Sequence, residues 1–189
     1  MILVLVGESA SGKSTVADLL TKKDGSFSKV VTFTTRPIRV GERDGIDYHF
    51  ISKETFDEFV DKSMFFEHAS YREWDYGSAI DFDISENKVI ILTPSGARAL
   101  KRYVMNKPEL KDKLLIVYLC VDRRSRMIKI LQRGDNIDEA YRRNLSDVGQ
   151  FDGFNGEADY TIKNENYCKS AEAICDIILD IIEGHYENK

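Results

Sequence analysis

Ile2-Leu3-Val4-Leu5-Val6-Gly7-Glu8-Ser9-Ala10-Ser11-Gly12-Lys13-Ser14, followed by Thr15-Val16-Ala17-Asp18-Leu19-Leu20, is the stretch on which the fold turns. A short apolar run leads into G-x-x-x-x-G-K-S, and a helical pattern follows, which is the context a phosphate-gripping loop requires. The two glycines let the backbone curl so that several N–H groups face one anion. The helix N-terminus adds partial positive charge. Lys13 can then reach the β/γ-phosphates of a nucleotide, and the Ser14 hydroxyl can ligate Mg²⁺. Gly7, Ser9, Ala10, Ser11, Gly12, Lys13, Ser14 and Thr15 therefore form the expected nucleoside-triphosphate-binding loop, with Ser14 as its metal ligand.

Outward from that loop the elements alternate. Lys29 to Phe33 is a β-branched strand, and Arg36 to Asp47 a polar loop with Pro37, Gly41 and Gly45. Tyr48 to Ile51 alternates as a strand, and Ser52 is placed to cap a helix reaching about Lys62. Met64 to Arg72 is a further strand region. Lys88 to Leu92 is a buried strand that Thr93-Pro94-Ser95-Gly96 turns into a helix from Ala97 to Met105. Leu114 to Val121 is a continuous apolar run, the signature of a strand covered on both faces of a parallel sheet. Helices follow over Arg123 to Gln132 and Ile137 to Val148, broken by Gly134-Asp135-Asn136. Asp159 to Ile162 is the last strand, and Cys168 to Ile182 an amphipathic helix with Ala171, Ile174, Ile178 and Ile181 on one stripe. Strands alternating with helices give an α/β core with a parallel sheet. The segment from Phe33 to Asp83, rich in short strands and aromatics, reads as a small α+β insertion.

Composition narrows the function. The chain has 189 residues, 42% apolar, with a net charge of −5, so a broad basic nucleic-acid footprint is not expected. Arg123-Arg124-Ser125-Arg126, leading on to Lys129, Arg133, Arg142 and Arg143, is a basic cluster in an acidic chain and suggests a local anion site. Cys120, Cys168 and Cys175 form no C-x-x-C pair and read as reduced thiols of a cytoplasmic protein. His49, His68 and His185 lack metal-site spacing. No run approaches the ~20 apolar residues of a membrane span, and the N-terminal core strand leaves no room for a signal peptide. Oligomeric state is not legible.

A second anion site lies at Thr34-Thr35-Arg36-Pro37-Ile38-Arg39-Val40-Gly41-Glu42-Arg43-Asp44-Gly45-Ile46-Asp47-Tyr48-His49-Phe50. Arg36 and Arg39, three apart in a Gly/Pro loop, can fork around one phosphate, with Tyr48 as a hydroxyl donor. Two phosphate sites imply transfer between two phosphorylated molecules.

Here the chain resembles the guanylate kinase family. The pattern T-T-R-x-x-R-x-G-E-x-x-G-x-D-Y-x-F runs from Thr34 to Phe50. Phe65-Phe66-Glu67 is similar to the family's acidic residue after an aromatic, and Tyr76-Gly77-Ser78 to its Y-G-[S/T]. The resemblance implies a P-loop three-layer sandwich forming a single domain over 1–189. Its core would be 1–32, 84–121 and 147–189, its GMP-binding insertion 33–83 and its helical lid 122–146. It implies that Arg36, Arg39, Tyr48 and Tyr76 bind the acceptor phosphate, that Glu67 accepts from guanine N1–H and the exocyclic amine, and that Ser78 and Thr32 contact O6. Arg133-Gly134 resembles the lid's R-G. The later lid arginine falls on Asn144, before Leu145, so Arg142 or Arg143 would serve beside Lys13, Arg36 and Arg133 in catalysis. Asp159 to Asn164 resembles D-Y-x-I-x-N, which implies Asn164 beside the ATP base.

One departure stands out. The family's L-D-x-D strand end reads Ile90-Ile91-Leu92-Thr93 here, so Ile91 and Thr93 replace two aspartates. Thr93 could offer a hydroxyl to the base, and Asp122 could offer charge. The implied reaction is ATP- and Mg²⁺-dependent phosphorylation of GMP or dGMP. The alternatives are a related small-molecule kinase, such as one acting on ribose 1,5-bisphosphate or another nucleoside monophosphate, and a non-catalytic binding module.

Overall fold

The computed structural model describes residues 1–38, 41–71, 73–79, 86–132, 134 and 137–187, with backbone alone at 71, 139, 140, 143, 186 and 187. Five parallel strands form the central sheet: β1 (Ile2–Val6), β2 (Phe27–Lys29), β7 (Asn87–Leu92), β8 (Leu114–Cys120) and β9 (Tyr160–Lys163), in the order β2-β7-β1-β8-β9. Side chains alternate across the sheet because the strand period is two. Leu3 and Leu5 of β1 point into a cluster with Val16, Leu20, Ile174 and Ile178, from α1 (Lys13–Lys23) and α6 (Ala171–Glu187). Ile2, Val4 and Val6 point the other way, against Ala97, Leu100 and Val104 of α3 (Pro94–Met105). Both faces are dry, which is why β1, β7 and β8 read as unbroken apolar runs. The strand order reverses about β1, and the phosphate loop leaves the C-terminal end of that strand, where open α/β sheets bind ligands.

A second sheet, β4-β3-β6-β5, is built from β3 (Phe33–Thr34), β4 (His49–Phe50), β5 (Phe65–Tyr71) and β6 (Trp74–Ala79). α2 (Lys53–Asp61) packs on it through an aromatic cluster in which the Phe56 and Phe65 rings lie 4.8 Å apart and Phe33 and Phe65 5.5 Å apart. Ser52 caps α2 as expected, accepting from Thr55 N at 3.2 Å.

Three expectations change. The run Lys29 to Phe33 is not one strand. Val30 N still donates to Val89 O of the central sheet, while Thr32 O already accepts from His49 N of the second. One β-branched run thus serves two sheets. Thr93 to Gly96 is not a turn before the helix but its beginning. Thr93 is the N-cap and Pro94 takes the first helical position, where its missing N–H costs nothing. Strand β6 was not anticipated. Its sequence, Trp-Asp-Tyr-Gly-Ser-Ala, lacks β-branched residues, and its pairing with β3 and β5 supplies what propensity does not. The helix pair α4 (Arg123–Gln132) and α5 (Ile137–Asp147) follows the expected boundaries closely.

Candidate active site

The phosphate loop holds its curve through left-handed backbone at Ala10 (φ 65°) and Gly12 (φ 97°), the latter capping α1. Left-handed backbone is uncommon for a residue with a Cβ. At Ala10 the carbonyl accepts from the Tyr167 hydroxyl at 2.7 Å, which helps hold it there. Gly7 is required sterically, since a Cβ there would sit 2.7 Å from the Leu119 carbonyl oxygen. Lys13 Nζ donates to Gly7 O at 2.7 Å and Glu8 O at 2.9 Å, so it bridges the rim of the loop. Burial pushes its ammonium down to about 8, against the pull of the Asp147 and Glu8 carboxylates. Ser14 and Thr15 are exposed in the first turn of α1, and Ser11 is buried beneath the loop.

Across from the loop, a bulge in β5 between Phe65 and Glu67 re-aims two side chains. Phe66 turns to Tyr103 of α3, ring centroids 6.2 Å apart. Glu67 accepts from Ser78 Oγ at 3.2 Å and lies over the first turn of α3, where a Cβ on Gly96 would come within 2.9 Å of its carboxylate. Burial pushes the Glu67 carboxyl up from its ordinary value, opposed by the Ser78 hydrogen bond. Arg36, Tyr48 and Tyr76 also meet. The Arg36 guanidinium lies 5.6 Å from the Tyr48 ring centre, and the two tyrosine rings are 6.1 Å apart, edge to face. Arg36 is buried; its Nη2 donates to both carboxylate oxygens of Glu42, at 2.8 and 3.0 Å, and its Nη1 to Pro37 O at 2.7 Å.

The strand-end departure has a definite structure. Ile91 packs on the central core, and Thr93 Oγ1 accepts from Gly96 N at 3.2 Å as the helix cap. Asp122 is committed elsewhere. It accepts from Asn166 N and Ser125 N, both at 2.9 Å, and those backbone bonds hold its carboxyl down to about 2. Asn164 organises the turn after β9 through Lys169 N at 2.8 Å and Lys169 O at 3.2 Å. Thr32 stands half-buried at the junction between the sheets. Arg39, Arg133 and the Arg143 side chain lie outside the described residues.

Reading by motif passed over the contacts from α4 and α5 to the loop. Asp147 Oδ2 accepts from Ser9 N at 2.8 Å, and buried Arg126 lies 3.4 Å from the same oxygen and from Ser9 O. Arg123 Nε donates to buried Asn144 Oδ1 at 2.7 Å. The basic run Arg123 to Arg126 was the available signal. It did not show which arginines would turn inward.

A phosphate loop at the switch point of a parallel sheet, faced by a small second sheet and a helix pair, defines a protein of the P-loop class. The chain matches the family described as guanylate kinase over residues 1–178. It is 31% identical over 187 residues to a guanylate kinase of Chlorobaculum tepidum, covering 96% of this chain and 93% of that one. It is 28% identical to one of Streptococcus thermophilus, covering 100% and 93%. A guanylate kinase structure from Anaplasma phagocytophilum shares the fold, with a TM-score of 0.66 at 22% identity, over 97% of this chain and 85% of that one. The chain belongs to the guanylate kinase family.

Proposed function

We propose that the protein transfers the γ-phosphoryl group of ATP to the phosphate of GMP or dGMP. The observation that carries this reading is the pairing of an intact phosphate loop with a carboxylate, Glu67, held over the α3 N-terminus beside Ser78. A carboxylate there can accept from both guanine N1–H and the exocyclic amine, a pattern adenine does not offer. Ser78 and Thr32 would meet O6, and Thr93, already capping α3, would lie at the edge of the base. Arg36, Arg39, Tyr48 and Tyr76 would hold the acceptor phosphate, with Arg36 exchanging part of its Glu42 pairing for phosphate oxygens. Gly7 and Ser9 to Thr15 would wrap the donor phosphates, with the Asn164 backbone bordering the donor base.

The acceptor phosphate is already ionised, so the reaction needs alignment and charge neutralisation rather than a strong base. Lys13, Arg36, Arg133 and Arg143 are the proposed cations. The insertion 33–83 and the lid 122–146 would close over core segments 1–32, 84–121 and 147–189 and exclude water. Mg²⁺ suits the loop. Among the described residues no group of three or more His, Cys, Asp or Glu side chains could hold a metal. Mg²⁺ takes only one or two protein ligands beside water and phosphate oxygens. Ser14 would be that ligand, and the ion would neutralise charge on the phosphates. A cytoplasmic location is proposed on the free thiols; no helix among the described residues is long and apolar enough to cross a membrane.

Ile91 and Thr93 favour a second reading, an acceptor other than a guanine nucleotide, because they remove two carboxylates from the strand end. Initial rates with ATP·Mg and a panel of GMP, dGMP, IMP, AMP, CMP, UMP and ribose 1,5-bisphosphate decide between them. Preference for GMP and dGMP over IMP is expected. Faster turnover of another acceptor would move the function to the second reading. ATP binding without transfer to any of them would leave a binding module.

A further inference from the structure

A cavity of about 420 Å³ opens between the phosphate loop, β8 and the helix pair. Its charged and amide walls are Glu8, Arg123, Arg126, Asn144, Asp147 and Asp152. The two arginines are one turn apart on α4, and each meets a residue of α5, Arg123 reaching Asn144 and Arg126 reaching Asp147. They are otherwise unlike. Arg126 is buried and already engaged: Nε on Val121 O at 3.0 Å, Nη1 on Ser9 O and Asp147, Nη2 3.7 Å from Glu8. Its charge is matched by two carboxylates. Arg123 is exposed, and its hydrogen bond among the described residues uses the neutral amide of Asn144.

That bond has a geometric consequence. Nε is the inner atom of the guanidinium, so anchoring it leaves the two terminal nitrogens as a fork at the cavity. Arg142 is exposed, is not a wall of the cavity, and donates from Nε to Asp138 O of its own helix at 3.1 Å. Arg124 is exposed and is not a wall of the cavity. The carboxylates nearest the loop, Glu8 and Asp147, face Arg126, and Asp152 is exposed at the rim. An anion entering beside the loop would therefore meet the Arg123 fork. We infer that Arg123 is a further catalytic residue, a lid arginine supplied by α4 that acts beside Arg143 and enters the cavity where position 144 of α5 carries asparagine. Asn144 is its positioning residue.

The inference rests on the phosphoryl-transfer reading above. It is tested with Arg123→Ala, Asn144→Ala, the double variant Arg123→Ala/Asn144→Arg, and Arg124→Ala as control. Two readouts are needed: steady-state transfer, and affinity for a bisubstrate probe joining adenosine and guanosine through five phosphates. Arg123→Ala should lower kcat by about 100-fold or more, the scale of one preorganised donor lost from developing charge, with the protein still folded and its melting temperature lowered by only a few degrees for the unpaired Asn144 amide. Probe affinity should fall at least about tenfold. Asn144→Ala should give a smaller loss in kcat, and the double variant should recover part of the Arg123→Ala loss, because an arginine from α5 would enter the same cavity. Arg124→Ala should match the parent protein. If the parent binds the probe and Arg123→Ala binds and turns over equally well, the inference is overturned and the reaction stands. If the parent neither transfers phosphate nor binds the probe, the reaction falls and the inference falls with it.

Discussion

Lys13 bridges two carbonyls of its own loop in a half-buried site, and its ammonium is pushed down to about 8. Its folded pKa lies below the unfolded value, so the folded state binds fewer protons across pH 8 to about 10.5. Its contribution to stability therefore rises with pH over that window. Activity should run the other way, because the charged form grips phosphate. kcat/KM for ATP, which reports the free enzyme, should be level below pH 7.5 and fall above about 8. A level profile to pH 10 would show that another cation does this work. Glu67 has the opposite acid behaviour. Burial raises its carboxyl, and protonation turns one of its two acceptor oxygens into a donor, which breaks the match to guanine N1–H and the exocyclic amine. KM for GMP should rise as pH falls through a value above the usual carboxylate range. Glu67→Gln should abolish that acid limb and cost about tenfold to a hundredfold in GMP affinity, the worth of an unpaired buried polar group. An unchanged acid limb in Glu67→Gln would remove Glu67 from the base site.

Elements explain why single glycines matter. Gly96 lies inside α3, where alanine ordinarily helps by roughly 0.5–1 kcal/mol. Here its Cβ would meet the Glu67 carboxylate at 2.9 Å. The carboxylate end of Glu67 can swing aside, so Gly96→Ala should leave the melting temperature level or slightly higher while raising KM for GMP several-fold. An unchanged KM would separate Glu67 from the α3 N-terminus. Gly77 is different, because a Cβ there would sit 2.8 Å from the Phe65 ring, which is fixed by Phe33, Phe56 and Phe59. Gly77→Ala should cost about 1–3 kcal/mol as an overpacked site. Urea unfolding measures it, and no loss would mean that the aromatic cluster yields.

At the scale of the molecule, the phosphate loop belongs to the central sheet and Glu67 to the second, so the proposed reaction needs both brought together. The Phe66–Tyr103 contact and the β5 bulge join the second sheet to α3. Asp147 and Arg126 join the helix pair to the loop at Ser9. A ligand spanning both sites should stabilise the whole. At a hundredfold excess over its Kd, the bisubstrate probe should raise the melting temperature by roughly 5–10 °C. It should exceed ATP or GMP alone at the same concentration. A shift no larger than that of ATP would mean that the two sites do not close on one ligand.

The sequence by itself determined the parallel core and the glycine-rich loop at the end of its first strand, because these depend on local signals. Strands covered on both faces read as apolar runs, and a loop that wraps phosphate requires glycines and lysine at set spacings. It also located α2 through the Ser52 cap. Only the tertiary structure decided the rest. Whether Val30 and Thr32 share a strand depends on which sheet receives each backbone N–H and C=O. Trp74 to Ala79 is a strand because of its neighbours. Thr93 and Asp122 are helix caps rather than spare polar groups, as their hydrogen bonds show. Which arginines of α4 turn inward was settled by Asn144 and Asp147 on another helix. Pairing across the chain carries no local signature, so these arrangements become visible only when the chain is folded.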